Sequence, residues 1–458
     1  MFYNENYEVI IMEKGLMTEG NIWKQLILFS IPLLLGNLFQ QLYNAVDSVI
    51  VGQFVSSQAL AAVGSSFPLI NLLISFFMGL SLGAGVVVSK YFGARDIDNM
   101  RKSIHSSIVI TFIIGVIMTF VGILACPIIL RWMQTPSDVI NDSIVYLQIY
   151  FGGILFTMIY NIGSGILRAV GDTKRPLYFL IICSIINIIL DLLFIIFFKM
   201  GIAGAAYATV ISQAISAILT MLLLINTSNE YKISFKELKL YREQTKEIIR
   251  VGIPSGIQNA VVAISNVIVQ SNINSFDWVA MAGCSACQKL DGFAIMPVLS
   301  FSMAFTTFTG QNIGAKRYDR VKQGAKIGLI LSLSTIICIS ATLLYFDEQL
   351  LSIFSDDPEV IKYGLMMMHT LIPMYFLLTI THALNGIIRG AGKTKVPMMV
   401  MIVCWCCMRM AWILTTVPLF NDIQFVFYGW PITWAASSLW LIIYYCSHKW
   451  LPEAYRSH

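Results

Sequence analysis

The chain carries one ten-residue motif twice, first at 167–176 and again at 388–397. The two copies share Arg, Gly, Thr, Lys and Pro at the same places, and a second matched pair, 92–95 and 313–316, keeps the same spacing. Near the start of each half the spacing is longer by one, and the matched residues are Pro32, Asn37 and Asn44 with Pro254, Asn259 and Asn266. Agreement over most of the chain indicates a duplicated structural unit.

Composition places this unit in a membrane. Hydrophobic residues make up 57% of the chain and charged residues only 12%, about half the share in soluble domains, and the mean hydropathy is +0.74. A helix that crosses ~30 Å of hydrocarbon needs about 20 apolar residues. Twelve runs meet that need, six in each half: 24–50, 58–88, 103–126, 139–166, 176–198, 202–226, 248–272, 279–310, 323–346, 360–387, 397–420 and 426–447.

The distribution of positive charge predicts how the chain is oriented. Lys and Arg in short loops stay on the cytoplasmic side of a membrane. Five loops hold 21 of the 30 Lys and Arg residues: 89–102, 167–175, 227–250, 311–326 and 388–395. Both termini are therefore expected in the cytoplasm, with the chain in the inner membrane of the cell. The basic residues lie in short loops rather than on one continuous face, so we expect no nucleic-acid partner.

The predicted domains follow the duplication. An N-terminal cytoplasmic tail, 1–23, precedes an N-lobe at 24–226, and a C-lobe at 248–447 precedes a C-terminal tail at 448–458. The charged segment 227–247 is interpreted as a cytoplasmic linker, with a charged helix on the membrane surface as the alternative. The segment 1–20 lacks the features of a cleaved signal.

The loops and motifs argue against an enzyme. No loop is long enough for a catalytic domain, and no glycine-rich phosphate loop with its Lys and Ser/Thr is present. The nine cysteines lie in apolar stretches, where Cys behaves as a small hydrophobe, so we expect no cofactor and no metal centre. A transporter without a nucleotide motor would draw on an ion gradient.

The first span carries a polar stripe with an acid in it. Residues three and four apart along it are polar, so they share one helix face: Asn37, Gln40, Gln41, Asn44, Asp47 and Ser48. A charged side chain at membrane depth costs at least about 2–3 kcal/mol and usually marks an ion or substrate path. The alternative is that Asp47 sits near the helix end and reaches the headgroups.

Asp191 lies among apolar residues in the fifth span, with Asn187 one turn earlier on the same face. The next span carries Thr209 among small residues, which allow helices to approach closely. Loss of water disfavours a charged carboxylate, and a second carboxylate nearby adds to that effect, so two such acids could exchange a proton near neutral pH. In the second half the place of Asp47 falls on Val269 or Ile268 and that of Asp191 on Trp412, so these acids belong to one half.

The polar residues of the second half are mostly uncharged. Its first span has Gln258, Asn259, Asn266 and Gln270, and elsewhere the ionisable residues are Lys289, Asp291, His369, His382 and Arg409. We interpret most of these charges as structural. His382 is the best functional candidate because imidazole titrates near neutral pH. Pro32, early in the first span, predicts either a fixed kink or a hinge.

Three motifs together resemble the multidrug and toxic compound extrusion (MATE) transporters, from Gly20 to about Lys449. They are the first-span run from Ile31 to Asp47, the loop 310–315 and the repeated Arg-x-x-Gly-x-Thr-Lys-x-Pro. The similarity is greatest to the prokaryotic DinF-like branch, which places ion coupling in the N-terminal lobe. The resemblance implies a pseudo-symmetric fold with a central cavity and alternating access.

The branch pattern also implies site residues. Its Pro and Asp of the first span correspond to Pro32 and Asp47, its Asn and Asp of the fifth to Asn187 and Asp191, and its Thr of the sixth to Thr209. Polar partners of that network correspond to Gln40 and Asn161. Other branches place a Glu in the seventh span and an Asp in the tenth, but residues 251–272 contain no acid, and Thr381-His382 stands near the latter position.

The sequence therefore predicts an all-α integral membrane protein with twelve transmembrane helices in two pseudo-symmetric six-helix lobes. We expect a monomeric antiporter that exchanges H⁺ or Na⁺ for amphipathic organic cations. Asp47, Asp191, Asn187 and Thr209 would bind the proton or Na⁺, and the cavity would be lined by Gln40, Asn44, Asn161, Asn259, Asn266 and His382.

Two other functions stay open. A lipid-linked oligosaccharide flippase of related architecture would need more cationic groups than Lys289 and Arg409 deep in the spans. A non-transporting receptor or scaffold would leave Asp191 unexplained.

Overall fold

All regular secondary structure in the described part of the chain is helical. The structure, a computed structural model, describes residues 16–133 and 135–452. Residues 1–15 and 453–458 of the two predicted tails lie outside these ranges.

The helices of the first half follow the predicted spans. They are α1 (Ile22–Phe54), α2 (Ser57–Gly93), α3 (Ile97–Trp132), α4 (Ser137–Gly152), α5 (Ile154–Ala169), α6 (Lys174–Asp191) with a π-helical turn (Leu192–Phe197), and α7 (Ile202–Asn226). Between the halves lies a 3₁₀ turn (Phe235–Glu237). The alternative of a charged α-helix in this segment is not found before Arg242, where α8 (Arg242–Ile273) begins, and whether the segment lies on the membrane surface stays a prediction.

The second half follows the same order, with a further short helix, Asp347–Ser352, and a further α-helix, Arg409–Phe420, after its π-helical stretch. Its helices are α8 (Arg242–Ile273), α9 (Trp278–Gly314), α10 (Tyr318–Tyr345), α11 (Asp347–Ser352), α12 (Pro358–Leu371) with a 3₁₀ turn (Ile372–Met374), α13 (Tyr375–Gly390), α14 (Lys395–Val400) with a π-helical stretch (Met401–Met408), α15 (Arg409–Phe420) and α16 (Gln424–Cys446). Eleven helical stretches of the described chain are long and apolar enough to cross a membrane, and α4 with α5, bent by 48°, makes a twelfth. The predicted twelve spans are confirmed.

The duplication extends to backbone details that the motifs did not reveal. Ser56 caps α2 and Asp277 caps α9, each by accepting a hydrogen bond from the backbone N–H three residues ahead. These caps stand at equivalent places in the two copies of the unit, as do Arg95 and Lys316, which turn the chain after α2 and α9 with φ of 55° and 58°. The two halves thus start and end equivalent helices by the same local means.

The chain forms two compact units. Unit 1 contains residues 32–252, and unit 2 contains residues 17–31 and 253–452. These differ from the predicted lobes in two short segments, because 17–31 pack with the second unit and 227–252 with the first. The buried side chains of Tyr231 and Ile233 show why, since they join a core that also contains residues of α2, α3 and α5.

A close helix approach fixes the start of α8 within unit 1. A Cβ on Gly83 of α2 would lie 2.4 Å from the Cα of Gly252 and 3.1 Å from the carbonyl oxygen of Ile248. No side chain fits between two backbones at that separation. Glycine at position 83 is therefore required by packing, as small residues are at close crossings of membrane helices.

Candidate functional site

Unit 1 holds two buried carboxylic acids on different helices. Asp47 lies in α1 and is 9% exposed, and Asp191 is the last residue of α6 and is fully buried. Their carboxyl groups lie within electrostatic range of each other. Asn187, 1% exposed, is one turn before Asp191 on the same helix face. The structure thus brings three of the predicted site residues to one place inside the membrane spans.

Most side-chain polar atoms of this cluster form no hydrogen bond within the protein. Among the described residues, Asp47 Oδ1, both carboxyl oxygens of Asp191 and both side-chain polar atoms of Asn187 form no hydrogen bond of ordinary geometry. Buried polar groups in folded proteins are nearly always hydrogen-bonded, so such orphaned atoms call for an explanation. Carboxylate and amide oxygens are hard ligands, able to share a proton or to bind a small cation such as Na⁺.

Tyrosine side chains lie near the two acids, although the sequence did not predict them there. Tyr43, one turn before Asp47, lies within electrostatic range of that carboxyl, and Tyr146 of α4 lies within range of both acids. Tyr150, one turn further along α4, stacks on Tyr146 with ring centroids 6.5 Å apart. Their spacing of four residues was a usable signal, but nothing in the sequence placed α4 beside α1.

The helix that carries Asp191 changes form at this residue. The α-helical turns of α6 end there, and the chain continues as the π-helical turn Leu192–Phe197, in which Phe198 N–H donates to the Leu193 carbonyl at 3.0 Å. Such wide turns are frequent at functional sites. Here the turn falls immediately after the buried acid.

The other predicted members of the unit 1 site differ in their hydrogen bonds and in their burial. The Thr209 hydroxyl donates to the Ala205 carbonyl at 3.1 Å, and the Asn161 amide donates to the Thr157 carbonyl at 2.9 Å. Thr209 therefore forms no hydrogen bond with Asp191, whose oxygens are both unpartnered. Gln40 is exposed and Asn44 is half-buried, and Pro32 is buried within α1.

Unit 2 contains the remaining predicted cavity residues. His382 of α13 packs edge-on against Trp405, with ring centroids 5.9 Å apart, and its backbone carbonyl accepts from Ser302 at 2.8 Å. Asn259 is half-buried and Asn266 is exposed, both on α8. Their role in a cavity stays a prediction.

Two of the charged residues that we interpreted as structural, Asp291 and Arg409, have neutral partners, whereas His369 pairs with the Asp347 carboxylate at 2.7 Å. Tyr375 donates a hydrogen bond to the Asp291 carboxylate. Arg409 is 1% exposed and donates to the hydroxyls of Ser265 at 3.3 Å and Thr433 at 2.9 Å. No cluster of three metal-ligating side chains occurs in the described residues.

Comparison with known proteins identifies the family. The MatE family model matches residues 32–193 and 254–412. The chain belongs to the MatE family. The two matched ranges begin at the equivalent prolines, Pro32 and Pro254, so each copy of the duplicated unit is recognised. Members of this family are transporters, and this chain is accordingly a multi-pass membrane transporter and not an enzyme.

Relatives of the chain share most of its length. A probable multidrug resistance protein of Bacillus subtilis, YpnP, is 32% identical over 375 residues, which cover 82% of this chain and 84% of the relative. The probable multidrug resistance protein NorM of Thermotoga maritima is 28% identical, covering 83% and 82%. A FAD transporter of Shewanella oneidensis is 27% identical, covering 75% and 76%.

Solved structures agree with the fold. The structure of an outward-facing multidrug resistance MATE family transporter of the MOP superfamily superposes with a TM-score of 0.89 at 23% identity, over 95% of this chain and 99% of that one. A MOP superfamily transporter from Pyrococcus furiosus has a TM-score of 0.88 at 22% identity, over 95% and 99%. The predicted all-α fold class is confirmed.

Proposed function

We propose that this MatE family member exports amphipathic organic cations from the cell across the inner membrane in exchange for H⁺ or Na⁺. The observation that carries the proposal is the pair of buried acids, Asp47 and Asp191: Asp47 Oδ1 and both carboxyl oxygens of Asp191 have no hydrogen bond of ordinary geometry among the described residues. Relatives named as multidrug resistance proteins support the substrate class.

The acid pair is the proposed site of the coupling ion. Two carboxylates within electrostatic range repel each other in a medium of low dielectric constant, and each gains from a bound cation. A proton or Na⁺ held by Asp47, Asp191 and Asn187 removes part of this repulsion. Entry of the ion is therefore favoured whenever the pair is exposed to the side of higher ion concentration.

Loading of the pair is proposed to change the shape of α1. Pro32 interrupts the hydrogen bonding of this helix fifteen residues before Asp47. Neutralising Asp47 lets the helix repack about Pro32, which weakens the hold on a bound organic cation. Moving one charge through ~100 mV supplies about 2.3 kcal/mol, before any chemical gradient is counted.

Transport in proteoliposomes tests the proposal. Wild-type protein should take up ethidium when a pH or sodium gradient is imposed, and Asp47→Asn and Asp191→Asn should lose this uptake. Asp138→Asn, which changes an exposed acid at the start of α4, is the matched control and should transport normally. Because one relative is a FAD transporter, uptake of FAD is measured alongside. Gradient-driven ethidium uptake that survives in both pair variants would reject the assignment, and uptake of FAD alone would reject the substrate class.

A further inference from the structure

The segment between α7 and α8 is held firmly on unit 1. The Ile233 side chain is 1% exposed, and the Ser234 backbone N–H donates to His105 Nε2 at 2.9 Å. His105 therefore carries its proton on Nδ1, which lies 2.7 Å from the Arg101 carbonyl. Further along the segment, the Tyr241 backbone N–H donates to Ser106 Oγ at 3.1 Å. These bonds fix residues 234–241 against the first turns of α3.

The anchored segment presents unpaired positive charge. Its acid, Glu237, is paired with Arg101 at 2.9 Å. Four exposed basic residues form no ion pair within the described part of the chain: Lys232, Lys236, Lys239 and Arg242. The surface stays positive when the exposed Glu243 is included.

Two large apolar side chains stand between these cations. Phe235 is 69% exposed and Leu240 is 48% exposed, although the backbone on either side is hydrogen-bonded to the protein. The arrangement of apolar side chains among Lys and Arg is typical of segments that lie in the headgroup region of a bilayer. We call Lys232, Phe235, Lys236, Lys239, Leu240 and Arg242 the linker surface.

The contacts with α3 also set the depth of the linker surface. His105 and Ser106 meet the segment at the level where the predicted span of α3 begins, at residue 103. Phe112 and Ile113 of the same helix, 54% and 43% exposed, lie only ~9–12 Å beyond His105 and Ser106 along the helix, at ~1.5 Å per residue. With the hydrocarbon taken to begin at the predicted residue 103, the linker surface lies at its edge, where headgroup phosphates are within reach of lysine side chains.

We propose that the linker surface binds anionic phospholipid headgroups, with its lysines and arginine on the phosphates and with Phe235 and Leu240 inserted between the lipids. Bilayer docking holds unit 1 through the segment that leads into α8. Each basic residue near an anionic surface strengthens binding about fivefold. At 0.1 M salt the attraction is largely screened beyond about 10 Å.

Amide hydrogen exchange of the full-length protein in nanodiscs tests the proposal. One set of discs contains phosphatidylcholine alone, and the other contains three parts phosphatidylcholine to one part phosphatidylglycerol. The backbone amides of 235–240 should exchange at least about fivefold more slowly in the anionic discs, and added salt should reduce the difference. A variant with K232Q, K236Q, K239Q and R242Q should lose the difference. The matched control, R131Q with K199Q and K362Q, removes cations from other loops and should keep it.

The outcomes are distinguishable. Equal exchange in both kinds of disc, or a difference that persists in the quadruple variant, would overturn the proposal. Protection that needs an added soluble protein and is independent of lipid charge would assign the surface to a protein partner instead, and would equally overturn it. Transport of ethidium is not part of the readout, so failure here leaves the proposed function standing.

Discussion

Replacing Gly83 by alanine tests the close approach of α2 and α8. The new Cβ would lie 2.4 Å from Gly252 Cα and 2.5 Å from Gly252 N, about 1 Å short of ordinary van der Waals contact. The clashing atoms are backbone, so no side-chain rotation relieves the contact and the two helices must separate. Overpacking costs about 1–3 kcal/mol, and we expect the upper end here.

The assay is thermal unfolding in detergent, in which the amount of protein that stays monodisperse is measured after heating to each temperature. A loss near the upper end, about 3 kcal/mol, should lower the midpoint by roughly 6–12 °C for a folding unit of this size. Gly64→Ala is the matched control on the same helix, because nothing lies within 4 Å of the place its Cβ would take. It should match or exceed wild type, since alanine is the better helix former. A Gly83→Ala protein that melts with wild type would refute the packing argument.

Three further substitutions probe polar contacts, each by the same unfolding assay. Tyr375→Phe removes the hydrogen bond to Asp291 and should destabilise the fold by about 1–3 kcal/mol; an unchanged midpoint would show that the bond is not formed. Arg409→Met should be neutral or stabilising, because that buried guanidinium has no ion pair among the described residues, and a large loss would contradict this. Glu247→Gln breaks a half-exposed pair with Lys90 at 2.6 Å and should cost no more than about 1 kcal/mol, less at high salt.

The helices were largely predictable because the physical signals that set them are local. Apolar runs long enough to span a membrane, separated by charged loops, predicted spans that agree with the helices of the structure. The interruptions were not predictable. The bend at Gly153 and the π-helical turn after Asp191 depend on packing against other helices. The hydrophobic periodicity of the sequence carries no information about that packing. The caps at Ser56 and Asp277 were readable in principle from their residue type.

The site was partly predictable. A carboxylic acid within an apolar segment is conspicuous in any sequence, so Asp47 and Asp191 could be identified from their sequence positions alone. That they lie together is a tertiary fact that only the family resemblance anticipated. The Thr209 hydroxyl donates within its own helix, and the role of Thr209 in ion binding stays a prediction. Tyr146 went unnoticed because tyrosine is common in membrane spans and its sequence position says nothing about α1.

Ion release on drug binding tests the central claim most directly. Purified protein in weakly buffered detergent solution is mixed with ethidium, and released H⁺ is followed with a pH dye while bound radioactive Na⁺ is followed by filtration. If Asp47 and Asp191 hold the coupling ion, wild-type protein should release H⁺ or Na⁺ as ethidium binds, and the double variant Asp47→Asn with Asp191→Asn should release neither. Equal release from wild type and the double variant would contradict the account.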